Sequence, residues 1–79
     1  MQQFLEYVLR QLVEFPEDII LTHQETPRKI VFYLRLRRSD VGKVIGKHGQ
    51  TIRAIRGLLS ASAARNGQRA ILQIVENRA

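Results

Sequence analysis

Two glycines three residues apart, Gly46 and Gly49, constrain this chain more than anything else in its 79 residues. They belong to Val44-Ile45-Gly46-Lys47-His48-Gly49, which has a helix-like segment on each side. Glycine adopts φ > 0 without steric cost, so the pair makes a backbone turn that few other residues can make. Without Cβ atoms, the turn also admits a ligand close to the main chain. Lys47 is a cation and His48 can become one. A bare, basic turn opening onto a helix N-terminus presents N–H groups and a positive dipole end to an anion. A phosphate chain suits it better than a core does.

The charge distribution agrees. Residues 1–27 carry Arg10 against Glu6, Glu14, Glu17, Asp18 and Glu25, one cation against five carboxylates and a net of −4. Residues 28–79 carry twelve Lys or Arg against Asp40 and Glu76, a net of +10. The positive field therefore lies with the glycine turn, and such asymmetry points to a polyanionic partner. The alternative is a basic surface that serves only solubility. The chain is of a size for one small domain, and the absence of cysteine excludes disulfides, thiolate metal sites and cysteine nucleophiles. The fold must then rest on apolar packing. No stretch approaches the ~20 apolar residues of a membrane span, and no export signal is visible, so a cytoplasmic location is expected.

Periodicity orders the elements. Leu5, Val8, Leu9 and Leu12 fall at i, i+3, i+4 and i+7, predicting an amphipathic helix from Gln3 to Phe15 that Pro16 ends. Ile19-Ile20-Leu21-Thr22 marks a strand within Asp18 to Glu25, closed by Thr26-Pro27. From Lys29 to Arg37, Ile30, Phe32, Leu34 and Leu36 alternate with Val31, Tyr33, Arg35 and Arg37, the period of a strand. Ser39 or Asp40 offers an N-cap to a short helix through Ile45. After the glycine turn, a helix from about Gln50 to Arg65 buries Ile52, Ile55, Leu59 and Ala63, with Leu58 at the edge. Asn66-Gly67 stops it. Arg69 to Val75 closes the chain as a strand with Ala70, Leu72 and Ile74 inward. The order is α-β-β-α-α-β, an α+β fold with a three-stranded mixed sheet covered on one face by three helices.

Enzymatic readings fail on spacing. A nucleotide-binding P-loop needs four residues between its first Gly and the Gly-Lys pair, then Ser or Thr. Gly42 and Gly46-Lys47 have three between them, and His48 follows. His23 and His48 are the only histidines, and neither stands at a zinc-ligand spacing from another donor. No catalytic residue, metal or cofactor is expected. What assembles is a phosphate-facing set: Lys47 and His48 in the turn, Lys43 one helical turn earlier, and Arg53 and Arg56 on one face of the following helix. Either arginine alone reads equally well as a solubilising side chain.

The nine residues Val-Ile-Gly-Lys-His-Gly-Gln-Thr-Ile, 44 to 52, resemble the signature of the K-homology (KH) RNA-binding domain. That signature is a GxxG loop between two helices, with an aliphatic pair before it and an aliphatic residue three after it. The element order is similar to the type II, prokaryotic topology, and the resemblance covers the whole chain. With Met1 at the first helix and almost nothing after the last strand, the chain looks like the small stand-alone bacterial KH proteins of the KhpA type. The resemblance implies a non-enzymatic single-stranded RNA-binding protein, acting in broad post-transcriptional regulation or as an RNA chaperone. It further implies partnership as a homodimer, or as a heterodimer with a second KH-containing protein.

Carried onto this chain, the resemblance makes Gly46, Lys47, His48 and Gly49 the clamp on the sugar–phosphate backbone of about four nucleotides. Ile45 and Ile52 take the aliphatic positions beside it. The loop has no adjacent aromatic, so base stacking there is weak and sequence selectivity modest. The competing reading is a protein-interaction scaffold that keeps the KH shape. For self-association the sequence offers two surfaces. One is an apolar patch of Val31, Tyr33, Ile71 and Val75 on the uncovered sheet face; the other is the outer side of the last helix, with Ala54, Ala61 and Ala64.

Overall fold

The computed structural model of the protein describes residues 1–76. Its elements are α1 (Gln2–Leu12), β1 (Ile20–Glu25), β2 (Lys29–Leu36), α2 (Val41–Ile45), α3 (Gln50–Ala64) and β3 (Arg69–Glu76). Single 3-10 turns occupy Pro16–Asp18, Arg38–Asp40 and Lys47–Gly49. The α-β-β-α-α-β order expected from the sequence is the order observed.

The sheet runs β1-β2-β3, with β1 antiparallel and β3 parallel to β2. A tight turn suffices for the first pair. Thr26 and Lys29 exchange backbone hydrogen bonds across it, and the Thr26 hydroxyl accepts a further bond from the Lys29 amide at 3.1 Å. A parallel pair needs a crossover, which α2 and α3 supply. Gly67 at φ 68° ends α3, and the Gln68 amide returns to the Ala63 carbonyl at 3.0 Å, the geometry of a glycine-terminated helix.

Register places Ile30, Phe32 and Leu34 beside Ala70, Leu72 and Ile74 on one face. That face meets Leu5 and Leu9 of α1, Val44 of α2, and Ile52, Ile55, Leu59 and Ala63 of α3 in one core. Phe32, Leu34, Leu36, Leu9 and Val44 are fully buried, each contributing about 1.5–3 kcal/mol relative to exposure. With no cysteine, this packing carries the fold.

The structure departs from the sequence reading at three places. First, α1 stops at Leu12, and Val13 is extended at φ −96°, ψ 157°. The reason lies with Asp40, whose carboxylate accepts the amides of Glu14 at 3.1 Å and Phe15 at 3.0 Å. Those N–H groups are therefore withdrawn from the helix. Second, Asp40 occupies the N-cap position of α2, but its side chain makes no cap bond there. Third, β1 begins at Ile20, because Asp18 lies in a 3-10 turn held by Arg37. The Arg37 Nε donates to Asp18 Oδ2 at 2.7 Å, and its guanidinium carbon sits 3.6 Å from the centre of the Phe15 ring.

The apolar surface is also distributed differently. Val31 is buried at 8% exposure, although it points to the face that no helix covers. Ile71 and Val75 are half-buried. The exposed large apolar residues include Phe4, Tyr7 and Leu58, at 54%, 65% and 57% exposure.

Candidate nucleic-acid interface

The Gly46–Gly49 segment is a 3-10 turn with three left-handed residues out of four. Gly46 has φ 77° and ψ 174°, His48 has φ 56° and ψ 26°, and Gly49 has φ 74° and ψ 14°. Only glycine adopts the first conformation readily. A Cβ on Gly46 would fall on the Thr51 hydroxyl oxygen and 2.6 Å from the Thr51 Cβ. At Gly49 the nearest atoms to such a Cβ are 3.8 Å away, on the Arg53 guanidinium. The first glycine is thus required by packing and dihedral, the second by dihedral alone. Histidine is among the non-glycine residues that tolerate the left-handed region, which lets His48 sit there.

The turn closes on itself. The Gly49 amide donates to the Gly46 carbonyl at 3.1 Å, and the Gln50 amide donates to the Lys47 carbonyl. Two of the amides at the start of α3 are therefore engaged, fewer free donors than a bare helix end presents. Among the described residues, no side chain caps α3. Lys47 and His48 are exposed, and Ile45 beside them is 37% exposed. Ile52, at 6% exposure, packs beneath.

The remaining cations divide. Arg53 Nε donates to the Gly49 carbonyl at 3.2 Å and its Nη2 donates to the His48 carbonyl, so this side chain braces the loop from α3. Arg56 Nη2 donates to the Leu72 carbonyl of β3 at 3.1 Å. Lys43 turns to acids instead, with its Nζ 3.3 Å from Glu14 Oε2 and 3.4 Å from Asp40 Oδ1. The Glu14 hydrogen bond is the main reason its pKa lies above the ordinary value. Burial alone would raise the Asp40 carboxyl, but the Glu14 and Phe15 amides together with Lys43 outweigh it and hold Asp40 below its ordinary value.

The structure therefore gathers Ile45, Gly46, Lys47, His48, Gly49 and Arg53 around one turn, with Ile52 as its floor. Arg56 is tied to the sheet, and Lys43 to an acidic pair behind α2. Sequence reasoning put Arg53 and Arg56 on one face of α3 facing phosphates, and missed the contact by which Arg53 braces the loop. The four-residue spacing from Gly49 was the available signal. It also missed Thr51 filling the space a Gly46 side chain would need. Among the described residues, no group of three or more His, Cys, Asp or Glu side chains is placed to hold a metal ion, and no helix is long and apolar enough to cross a membrane.

The family model described as "KhpA/KhpB, KH domain" matches residues 2–74. Curated relatives named RNA-binding protein KhpA include that of Chlamydia pneumoniae, 40% identical over 78 residues, covering 99% of this chain and 100% of the relative. The protein of Oceanobacillus iheyensis is 37% identical over 75 residues, and that of Listeria monocytogenes serovar 1/2a is 34% identical over 76. These cover 95% and 96% of this chain, and the whole of each relative. No solved structure matches the chain. The match of the family model over residues 2–74, with similarity to these relatives along nearly the whole chain, makes this protein a member of the KhpA/KhpB family of KH domains.

Proposed function

We propose that this protein binds single-stranded RNA without catalysing a reaction, gripping the sugar–phosphate backbone at the Gly46–Gly49 turn. The observation that carries the reading is the turn itself, a left-handed, glycine-bounded backbone with two exposed basic side chains at an uncapped helix start. The relatives' printed description as RNA-binding proteins supports it. Lys47 and His48 face the phosphates, Ile45 offers an apolar contact to a base, and Arg53 keeps the loop carbonyls in place. Arg56 adds to the positive field along α3, whereas the Lys43 charge is offset by Glu14 and Asp40.

The test is a charge reversal, Lys47→Asp with His48→Asp, assayed by fluorescence anisotropy on a labelled oligonucleotide. Binding is expected to be lost at RNA concentrations that saturate the unmodified protein, while stability stays within about 0.5 kcal/mol, since both side chains are exposed. For the unmodified protein, neutralising about three phosphates gives a slope near −2 for log affinity against log salt. Unchanged affinity in the double variant would overturn the assignment.

A second reading concerns partnership, with itself or another KH-containing protein, in post-transcriptional regulation or RNA chaperoning. Exposed Phe4, Leu58 and Met1 favour it, because with Leu59, Ala61 and Arg65 they line a groove of about 430 Å³ between α1 and α3. One four-nucleotide clamp gives little affinity, and pairing two raises it through effective concentration. Light scattering at micromolar concentration decides it: a lone 9.1 kDa species, with and without RNA, rules out the homodimer.

A further inference from the structure

We propose that the open face of the sheet is a second contact for single-stranded RNA, with a base stacked on Tyr33 and phosphates held by Lys29, Arg35 and Arg69. The proposal rests on the RNA-binding reading above but concerns a different surface. The helices pack on the face carrying Phe32 and Leu72, so the alternate residues of each strand form the other face. The register fixes its rows. Thr22, Tyr33 and Gln73 share the central one, Arg35 lies in the row above, and Lys29 is paired with Arg69 at the far end.

Three properties of this face point to a nucleic acid strand. Lys29, Arg35 and Arg69 are all exposed, and among the residues whose side chains are described no Asp or Glu occupies an outward position on β1, β2 or β3. The face is thus cationic without internal neutralisation, which attracts a polyanion and disfavours stacking two copies face to face. Tyr33 is part-exposed at its middle and supplies the aromatic platform that the glycine turn lacks. Thr22 and Gln73, on either side, offer hydrogen-bond groups to a base edge. From Lys29 to Arg35 the strand covers about 20 Å at ~3.3 Å per residue, a track several nucleotides long.

The experiment titrates a uridine 12-mer into the ¹⁵N-labelled full chain and follows the amides of residues 22, 33 and 73 beside those of 46–49. Both sets are expected to shift. The sheet set is expected to keep shifting, at higher RNA concentration, in the Lys47→Asp/His48→Asp variant. Tyr33→Leu, which retains an apolar side chain but removes the ring, is expected to weaken 12-mer binding about fivefold or more. Arg35→Glu with Arg69→Glu, at exposed positions, provides the same test should the Tyr33 variant fold poorly. Loop amides that shift while the sheet amides stay still overturn this proposal and leave the glycine-turn reading standing. Sheet amides that move with protein concentration in the absence of RNA also overturn it, showing an interface between copies. If neither set moves with RNA, both readings fall.

Discussion

Replacing Gly46 with Ala tests whether the turn is held by packing as well as by backbone conformation. Gly46 sits at φ 77° and ψ 174°, a region that costs a side-chain-bearing residue about 1–3 kcal/mol. The new methyl would also lie 2.6 Å from the Thr51 Cβ and 3.0 Å from its backbone nitrogen, and overpacking of that kind adds about 1–3 kcal/mol. The total is about 4 kcal/mol. Gly49→Ala meets no atom closer than 3.8 Å and carries only the left-handed penalty, about 1–2 kcal/mol. A chain of this length has a total stability of roughly 4–12 kcal/mol, so the first variant loses a large share of it. Urea melts of the two variants should therefore separate clearly, with Gly46→Ala the weaker. Adding Thr51→Gly should recover the overpacking component of Gly46→Ala but not its dihedral component, a coupling read from the double-mutant cycle. Equal destabilisation of the two alanine variants, or the reverse order, would refute the assignment of Thr51 as the packing partner.

Asp40→Ala leaves the amides of Glu14 and Phe15 without their acceptor and should cost about 3 kcal/mol by urea denaturation. Because the folded Asp40 pKa lies below its ordinary 3.8, its stabilisation is complete above that value and fades as pH falls through the folded one. Asp40→Asn should consequently flatten acid unfolding below about pH 4 relative to the unmodified chain. Arg53→Gln removes the brace on the His48 and Gly49 carbonyls; faster amide exchange across residues 46–50 and weaker RNA binding are expected, with little change in melting temperature. Leu58→Glu places a charge in the α1–α3 groove and should convert any dimer seen by light scattering to monomer without unfolding the chain, since Leu58 is 57% exposed.

The fold was legible because its elements obey strict periods. Ile52, Ile55, Leu59 and Ala63 follow the helical repeat and are all buried, and Ile30, Phe32, Leu34 and Leu36 follow the strand repeat onto the core face. The glycine turn was equally visible, since few other residues make such a bend. What periodicity does not carry is the long-range partner of a polar side chain. Asp40 looks like a helix cap from its neighbours in sequence, and only the folded chain brings the Glu14 and Phe15 amides to it across twenty-six and twenty-five positions. Lys43 likewise reads as a phosphate-facing cation from its neighbours in sequence, and only the folded chain brings Glu14 to it. The exposure of Phe4 and Tyr7, on the side of α1 away from Leu5 and Leu9, was implicit in that helix's own repeat.

The parallel pairing of β2 with β3 bears on how the molecule comes into being. Residue 29 finds residue 69 only after the whole helical crossover has been made, so this closure carries the large entropy of a long loop. Contacts so remote in sequence form slowly, whereas the β1–β2 hairpin needs only its own short turn. During synthesis the amino-terminal helix and hairpin emerge first, and α3 then waits for Leu72, whose side chain completes its core and whose carbonyl receives Arg56. The turn between α2 and α3 accordingly gains its final support from β3. On the RNA-binding reading proposed above, binding at that turn follows completion of the sheet.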